Sequence, residues 1–436
     1  MAEAVKVEIE NTEMIKPSSP TSPELKIFKL SLIDQLHPSF FTPILLFYSM
    51  DKNSTPASNK SQHLKLSLSR YLTLFYPLAG RIKDHSSINC NDEGIVFIEA
   101  QVNCPLSGIL KQPPPVEVLE RFLPGIDQSL EVRTEQPLLF VQENLFTCGG
   151  IAIGLQISHK IADAATIGIF LKGWAALAAD GSREILVPNL TASSFLPPMD
   201  VPLILPADAI KVIASKPTSR RLVLDASSIA ALQAKAASSS VPNPTRVEAV
   251  TAFIWKHSIK AARLNSGFPK LSVASQAVNI RKRIVQSLPE NAVGNILACY
   301  FVSVREIIEL ESLVSSLRKG LQEFSKTWLE HFQRNDPLSA FVGLLEQISG
   351  MPREGSTDFY NFASWCKMPL YEADFGWGKP TWIAIPRMEV YNAATIMDTR
   401  EGGGIEAWLC LSEEDMALLE HDEELLAYAT FNPSII

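Results

Sequence analysis

The chain has 436 residues, 46% of them hydrophobic, with 39 Lys+Arg against 47 Asp+Glu and a net charge of -8. That length supports two compact domains, and the acidic balance excludes a global basic field for nucleic acid or an anionic membrane surface. Six cysteines, at 90, 104, 148, 299, 366 and 410, show neither C-x-x-C nor metal-ligand spacing, and the start MAEAVKVEIENTE is acidic. With no apolar run of about 18 residues to span a bilayer, the expectation is a reduced, cytosolic, monomeric protein with no membrane, nucleic-acid or metal partner.

The opening alternates apolar and polar residues through Val5, Val7 and Ile9, breaks at KPSSPTSPE, and alternates again in LKIFKLSLID, which predicts two strands around a proline-rich turn. HLKLSLSRYLTLF, with Leu64, Leu66, Leu68, Leu72 and Phe75, predicts a helix that Pro77 ends. INCNDEGIVFIEAQV and LLFVQENLFTCGGIAIGLQIS read as strands, with Asp92, Glu93 and Gly94 as a hairpin turn. From 188 to 218 the chain turns to Pro, Ala, Ser and isolated aliphatics without a period, as a crossover linker does. It separates an N-terminal domain, 1–187, from a C-terminal domain, 219–436. The second part restarts with strand RRLVLD, helices ASSIAALQAKAASSS and TRVEAVTAFIWKHSIKAAR, strand LSVASQAVNIR and further strands near 296–304. Strand, helix, helix, strand in both parts predicts two similar α/β domains.

The strongest chemical signal lies where GIAIGLQIS, a strand by its alternation, meets ADAATIGIFLKGWAALAAD, whose Ile167, Phe170, Leu171, Trp174 and Ala178 repeat at helical spacing. His159 stands at that elbow, where packed backbone on both sides fixes a side chain that projects into a crevice. An imidazole with an ordinary pKa near 6.5 is neutral at cytosolic pH and can take a hydroxyl proton. Asp163, four residues on, sits in the first helical turn, where it either orients the imidazole or pairs with a distant arginine. Taken alone, His-x-x-x-Asp equally fits a structural histidine beside a helix-capping aspartate. In ASWCKMPLYEADFGWGKPTW, Asp374, Phe375, Gly376, Trp377 and Gly378 mark a sharp backbone turn.

HKIAD at 159–163 with DFGWG at 374–378 resembles the paired signature of the plant BAHD acyl-CoA-dependent acyltransferases. The resemblance runs through IKPSSPTSPELKIFKLSLIDQ, FYPLAGRI at 75–82, TRVEAVTAFIWK at 245–256, AVNIRKR at 277–283 and GN at 294–295. Within the family it is similar to the vinorine synthase-like branch, which includes alkaloid acetyltransferases. It implies an α/β fold: two chloramphenicol acetyltransferase-like domains of mixed sheet plus helices, with a solvent channel between them. Acyl-CoA, acetyl-CoA in this branch, enters as co-substrate, with no permanently bound cofactor, and a small-molecule alcohol is the acceptor.

The resemblance further implies that His159 is the general base, that Asp163 is structural and pairs with Arg281, and that the DFGWG turn shapes the domain interface. Asn295 is, by the same resemblance, a candidate oxyanion donor; on its residues alone it equally serves a turn after Gly294. For the CoA phosphates, Arg246 and Lys256 are the nominated cations, with Arg220 and Arg221 also available. Three rivals stand beside this reading: a hydrolase, which lacks the G-x-S-x-G elbow; a condensation domain, which carries His and Gly where Ser158 and Ala164 stand here; and an inactive ligand-binding protein on the same scaffold.

Overall fold

The computed structural model describes residues 5–49, 57–125, 135–179, 184–200, 217–283, 288–305, 309–334, 336–350, 357–386 and 390–436. The alternating N-terminus forms strand Val7–Ile15, which pairs antiparallel with Ile95–Val102. Among the described residues a six-stranded sheet continues from there through Leu139–Phe146, Ile151–Ser158 and Phe41–Tyr48. Its last strand, Trp382–Ala384, arrives from far downstream and pairs with Phe41–Tyr48. Every residue of Ile151–Ser158 is buried, as its near-continuous apolar run requires of a central strand covered on both faces.

A second, seven-stranded sheet has the order Leu297–Val304, Leu271–Asn279, Thr357–Ser364, Ala393–Asp398, Ile405–Ser412, Pro217–Leu224 and Thr430–Phe431. It is mixed, because Thr357–Ser364 runs parallel to both of its neighbours. Helix Ala57–Leu74 packs on helix Ala164–Ala178 against the first sheet, and the buried Trp174 donates its indole N–H to Ser67 Oγ at 3.1 Å. Helix Arg246–Ser266, started by a Thr245–Glu248 capping box and ended by Gly267 at φ 75°, lies with Leu310–Gln333 over the second core.

Two local expectations change. LKIFKLSLID is a strand only at Ile27–Lys29, because Ser31 and Asp34 form a reciprocal capping box that starts helix Leu32–Leu36. Two orphan backbone donors satisfied locally outweigh continued alternation. Asp92–Gly94 is not a hairpin: it joins Ser87–Asn89, in a small three-stranded sheet, to Ile95–Val102 in the large one. The Asp92 carboxylate, bound by Thr21 and Lys26, holds that bend at φ 59°.

Of the segment expected to cross between the halves, 201–216 lies outside the described residues, and Pro217 already opens a strand. Its described start is fixed to the second half, with Asn189 N–H donating to Asn291 O at 2.9 Å and Asn189 O accepting from Val293 N–H at 2.8 Å.

The central strand leaves no room at Gly154, where a Cβ would run into the Phe122 carbonyl. Gly154→Ala should therefore destabilise the first sheet by about 1–3 kcal/mol, the usual penalty for overpacking. Denaturant unfolding followed by tryptophan fluorescence checks this, and an unchanged midpoint contradicts it.

Candidate active site

Strand Ile151–Ser158 stops where Ser158 N–H donates to Leu138 O at 2.8 Å and His159 N–H to Phe40 O at 2.9 Å. Two residues of turn follow. Asp163 then caps helix Ala164–Ala178, its Oδ1 accepting Thr166 N–H at 2.8 Å. The His159 ring lies parallel to the His37 ring with centroids 4.5 Å apart, and meets the Phe40 ring edge-on at 4.9 Å. Nδ1 is buried with no partner at hydrogen-bonding geometry, whereas the residue as a whole lines a cavity. Nε2 is not among the buried nitrogens without a partner. Burial lowers the imidazole pKa below its ordinary 6.5, and the His159 carbonyl, Asp163 and the Asn295 side chain only partly oppose it.

Asp163 does not orient that ring. Its carboxylate receives Arg281 Nη1 at 2.7 Å, Arg281 Nη2 at 3.0 Å and Ile296 N–H at 3.1 Å, besides Thr166. Arg281 directs its remaining N–H groups to Ala292 O, Gly294 O and Thr166 Oγ1. Both partners are 3% exposed, so the pair is desolvated yet fully hydrogen-bonded. Burial alone would raise the Asp163 pKa; the guanidinium and the two backbone N–H groups hold it below its ordinary value.

Asn295 sits in the segment that this pair fixes. Its side-chain amide donates to His159 O at 2.6 Å and to Asp34 Oδ1 at 2.9 Å. An amide nitrogen carries two protons, and both are engaged. That corrects the oxyanion-donor expectation: Asn295 is fully buried, lines neither cavity at the site, and has no N–H left for a developing oxyanion. Asp34 itself is buried and accepts Ser31 N–H, Ser31 Oγ–H and Asn295 N–H as well. Sequence reasoning missed it, although Ser31-x-x-Asp34 is a recognisable capping signal.

Two cavities meet at Ala165, Asn279 and Met368. One, of about 440 Å³, is walled mainly by apolar side chains such as Phe40, Phe341, Leu344 and Trp365, with His159 and His37 on its wall. The other, of about 770 Å³, is rimmed by Lys172, Lys282, Arg283 and Lys367, with Glu290 as its acidic residue. Arg246 and Lys256, nominated for phosphate contacts, are at neither: Arg246 pairs with Asp398 at 2.7 Å and Lys256 with Glu424 at 3.2 Å. Arg220 and Arg221 are held by Glu420 and Glu406. Each of these cations pairs with a carboxylate of its own half, as Lys282 on the rim does with Glu290 at 2.5 Å, but these four line neither cavity. The DFGWG turn also lies off the cavities. Asp374 Oδ1 accepts the N–H groups of Gly376 and Gly378, both at φ near 100°, and Phe375 packs edge-on to Trp174 at 4.8 Å.

A family profile described as "Transferase family" matches residues 5–426. The chain is 40% identical to vinorine synthase of Rauvolfia serpentina over 428 residues, covering 95% of this chain and 96% of the relative. It is 37% identical to stemmadenine O-acetyltransferase of Catharanthus roseus, covering 96% and 97%. With limonoid 21-O-acetyltransferase of Melia azedarach it shares 35%, covering 98% and 99%. The crystal structure of vinorine synthase superposes with a TM-score of 0.84 at 35% identity, over 99% of this chain and 100% of the other.

Asp163→Ala would strand a buried guanidinium without its counter-charge, and should cost about 3–5 kcal/mol of stability. Thermal melts of the purified variant test it; a melting temperature equal to wild type would show that the pair is not what joins these segments.

Proposed function

The chain belongs to the BAHD acyltransferases, enzymes that take their acyl group from acyl-CoA, and we propose that it transfers acetyl from acetyl-CoA to a hydroxyl of an alkaloid or terpenoid with His159 as general base. One observation carries the mechanism. A neutral imidazole stands on the wall of an apolar chamber that opens onto a basic rim. The acceptor alcohol occupies the chamber, and Nε2 takes its proton as the oxygen attacks the thioester carbonyl. The tetrahedral oxyanion collapses, the C–S bond breaks, and CoA leaves as the thiol after the imidazolium returns the proton. No acyl-enzyme forms.

The rim cations Lys172, Lys282, Arg283 and Lys367 are the proposed partners of the CoA phosphates, in place of Arg246 and Lys256. Asn295 is assigned to holding the His159 carbonyl, and Asp163 with Arg281 to holding Asn295. The DFGWG turn is assigned to fixing the return of the chain into the first sheet. The acetyl and hydroxyl assignments rest on the O-acetyltransferases among the relatives. Feeding labelled acetyl-CoA with a metabolite extract of the source tissue, then identifying the labelled ester by mass spectrometry, tests the function and supplies the acceptor. A labelled amide or free acetate as the main product would contradict it.

His159→Ala should lower kcat by about 10²–10⁴-fold, the usual worth of general-base assistance, with the melting temperature retained. Because burial holds the folded imidazole below 6.5, the neutral form predominates at pH 7 and is lost as the pH drops through that lowered value. The acid limb of kcat/KM should therefore have its midpoint below 6.5, and a limb at or above it would contradict the assignment.

Lys282→Glu with Arg283→Glu should raise the KM for acetyl-CoA by about 10-fold or more while kcat changes little, and added salt should shrink the difference. An unchanged KM would place the phosphates elsewhere.

A further inference from the structure

An imidazole acting as a base is commonly oriented by a hydrogen bond at its second nitrogen, which fixes ring rotation and tautomer. At His159 that bond comes from no charged or titrating partner: in polar contact the ring meets only its own carbonyl and the Asn295 side chain. Its Nδ1 is buried without a partner at hydrogen-bonding geometry, and both Asp163 oxygens are occupied by Arg281, Thr166 and Ile296. The backbone is held on both sides, by Phe40 O and by the Asn295 amide, but backbone bonds leave χ1 and χ2 of the ring free. Beyond these polar contacts, the ring is restrained by contact with other rings. His37 lies against one face, 4.5 Å between centroids and 14° from parallel, and Phe40 stands edge-on at 4.9 Å and 69°.

His37 is itself well placed for this. It closes helix Leu32–Leu36, with its N–H on Ile33 O at 3.2 Å, and Lys160 Nζ donates to Gln35 O at 3.0 Å in the same turn. Asp34, three residues before His37, accepts from the same Asn295 nitrogen that binds the His159 carbonyl. One amide therefore ties together the two segments that carry the two rings. The neighbours that titrate or carry charge are His159 and Lys160, and these together with burial keep His37 well below 6.5. It meets the base as a neutral ring, whose face tolerates an imidazolium when His159 takes up a proton.

Resting on the general-base reading of His159, we propose that His37 is a positioning residue whose ring face, rather than its nitrogens, holds the His159 imidazole with Nε2 toward the chamber. The test compares His37→Ala, His37→Phe and His159→Ala with an alcohol that the wild-type enzyme acetylates, measuring kcat and KM separately. His37→Ala should lower kcat by about 10-fold or more, with KM for acetyl-CoA within about twofold, because a loosened base spends less time in line with the hydroxyl. His37→Phe, which keeps a ring face and removes both nitrogens, should recover kcat to within about threefold of wild type.

Two results would overturn the proposal: a wild-type kcat in His37→Ala, or a His37→Phe as slow as His37→Ala with a wild-type melting temperature, which would assign the nitrogens a contact with the acceptor. If His37→Ala does not fold, the kcat of His37→Phe decides alone, near wild type in favour and 10-fold or more down (about the loss expected for a loosened base) against. A His159→Ala variant with wild-type kcat would instead sink the general-base reading itself, which separates the two failures.

Discussion

Taking a carboxylate and a guanidinium out of water is tolerable only when each finds a nearly full set of partners. Asp163 and Arg281 meet that condition with groups drawn from both halves of the molecule: Thr166 on one side, and Ala292, Gly294 and Ile296 on the other. Satisfying the pair therefore fixes the backbone from 292 to 296 against the start of helix Ala164–Ala178. Asn295 is carried to its place as a consequence. From there it grips the His159 carbonyl and Asp34, so the proposed base inherits its position from that ion pair.

The two cavities divide the electrostatic work. Cationic side chains gather on the rim of one, the proposed place of the CoA phosphates, and apolar side chains wall the other, the proposed place of proton transfer. At His159 burial outweighs the nearby charges, Asp163 pushing the imidazole pKa up and Lys160 pushing it down. Arg281 stands close by but is neutralised by Asp163, so it holds structure without adding net charge. In the proposed mechanism the low polarity of the chamber would also strengthen whatever dipoles face the oxyanion.

Local pattern carried the elbow well. The change from a buried strand to a helical stripe placed His159 between two packed elements, and strand Ile151–Ser158 followed by helix Ala164–Ala178 is what the chain forms. What spans long separations was not written locally. The Asp163–Arg281 contact joins residues 118 apart, and only family resemblance suggested it. The Asn295 assignment failed because donor count depends on neighbours: nothing near GN at 294–295 reveals that Asp34, 261 residues earlier, takes one of the two protons. Arg246 and Lys256 misled for a similar reason, since a cation in sequence carries no sign of the carboxylate that will claim it. His37 gave no signal at all, because ring stacking between residues 37 and 159 exists only after both halves of the first sheet have met.

Strand Trp382–Ala384 has a consequence for how such a chain is made. It closes the edge of Phe41–Tyr48, the strand whose other side pairs with the one leading to His159. During synthesis that edge waits, with unpaired N–H and C=O groups, until more than three hundred further residues have been translated. An open, apolar edge is a template for pairing with another chain, and vectorial synthesis exposes it for the time the ribosome needs to reach the C-terminal part. Yield of the folded enzyme should thus depend on translation rate and chaperone supply, and a product cut short before residue 384 would be an aggregation seed rather than half an enzyme.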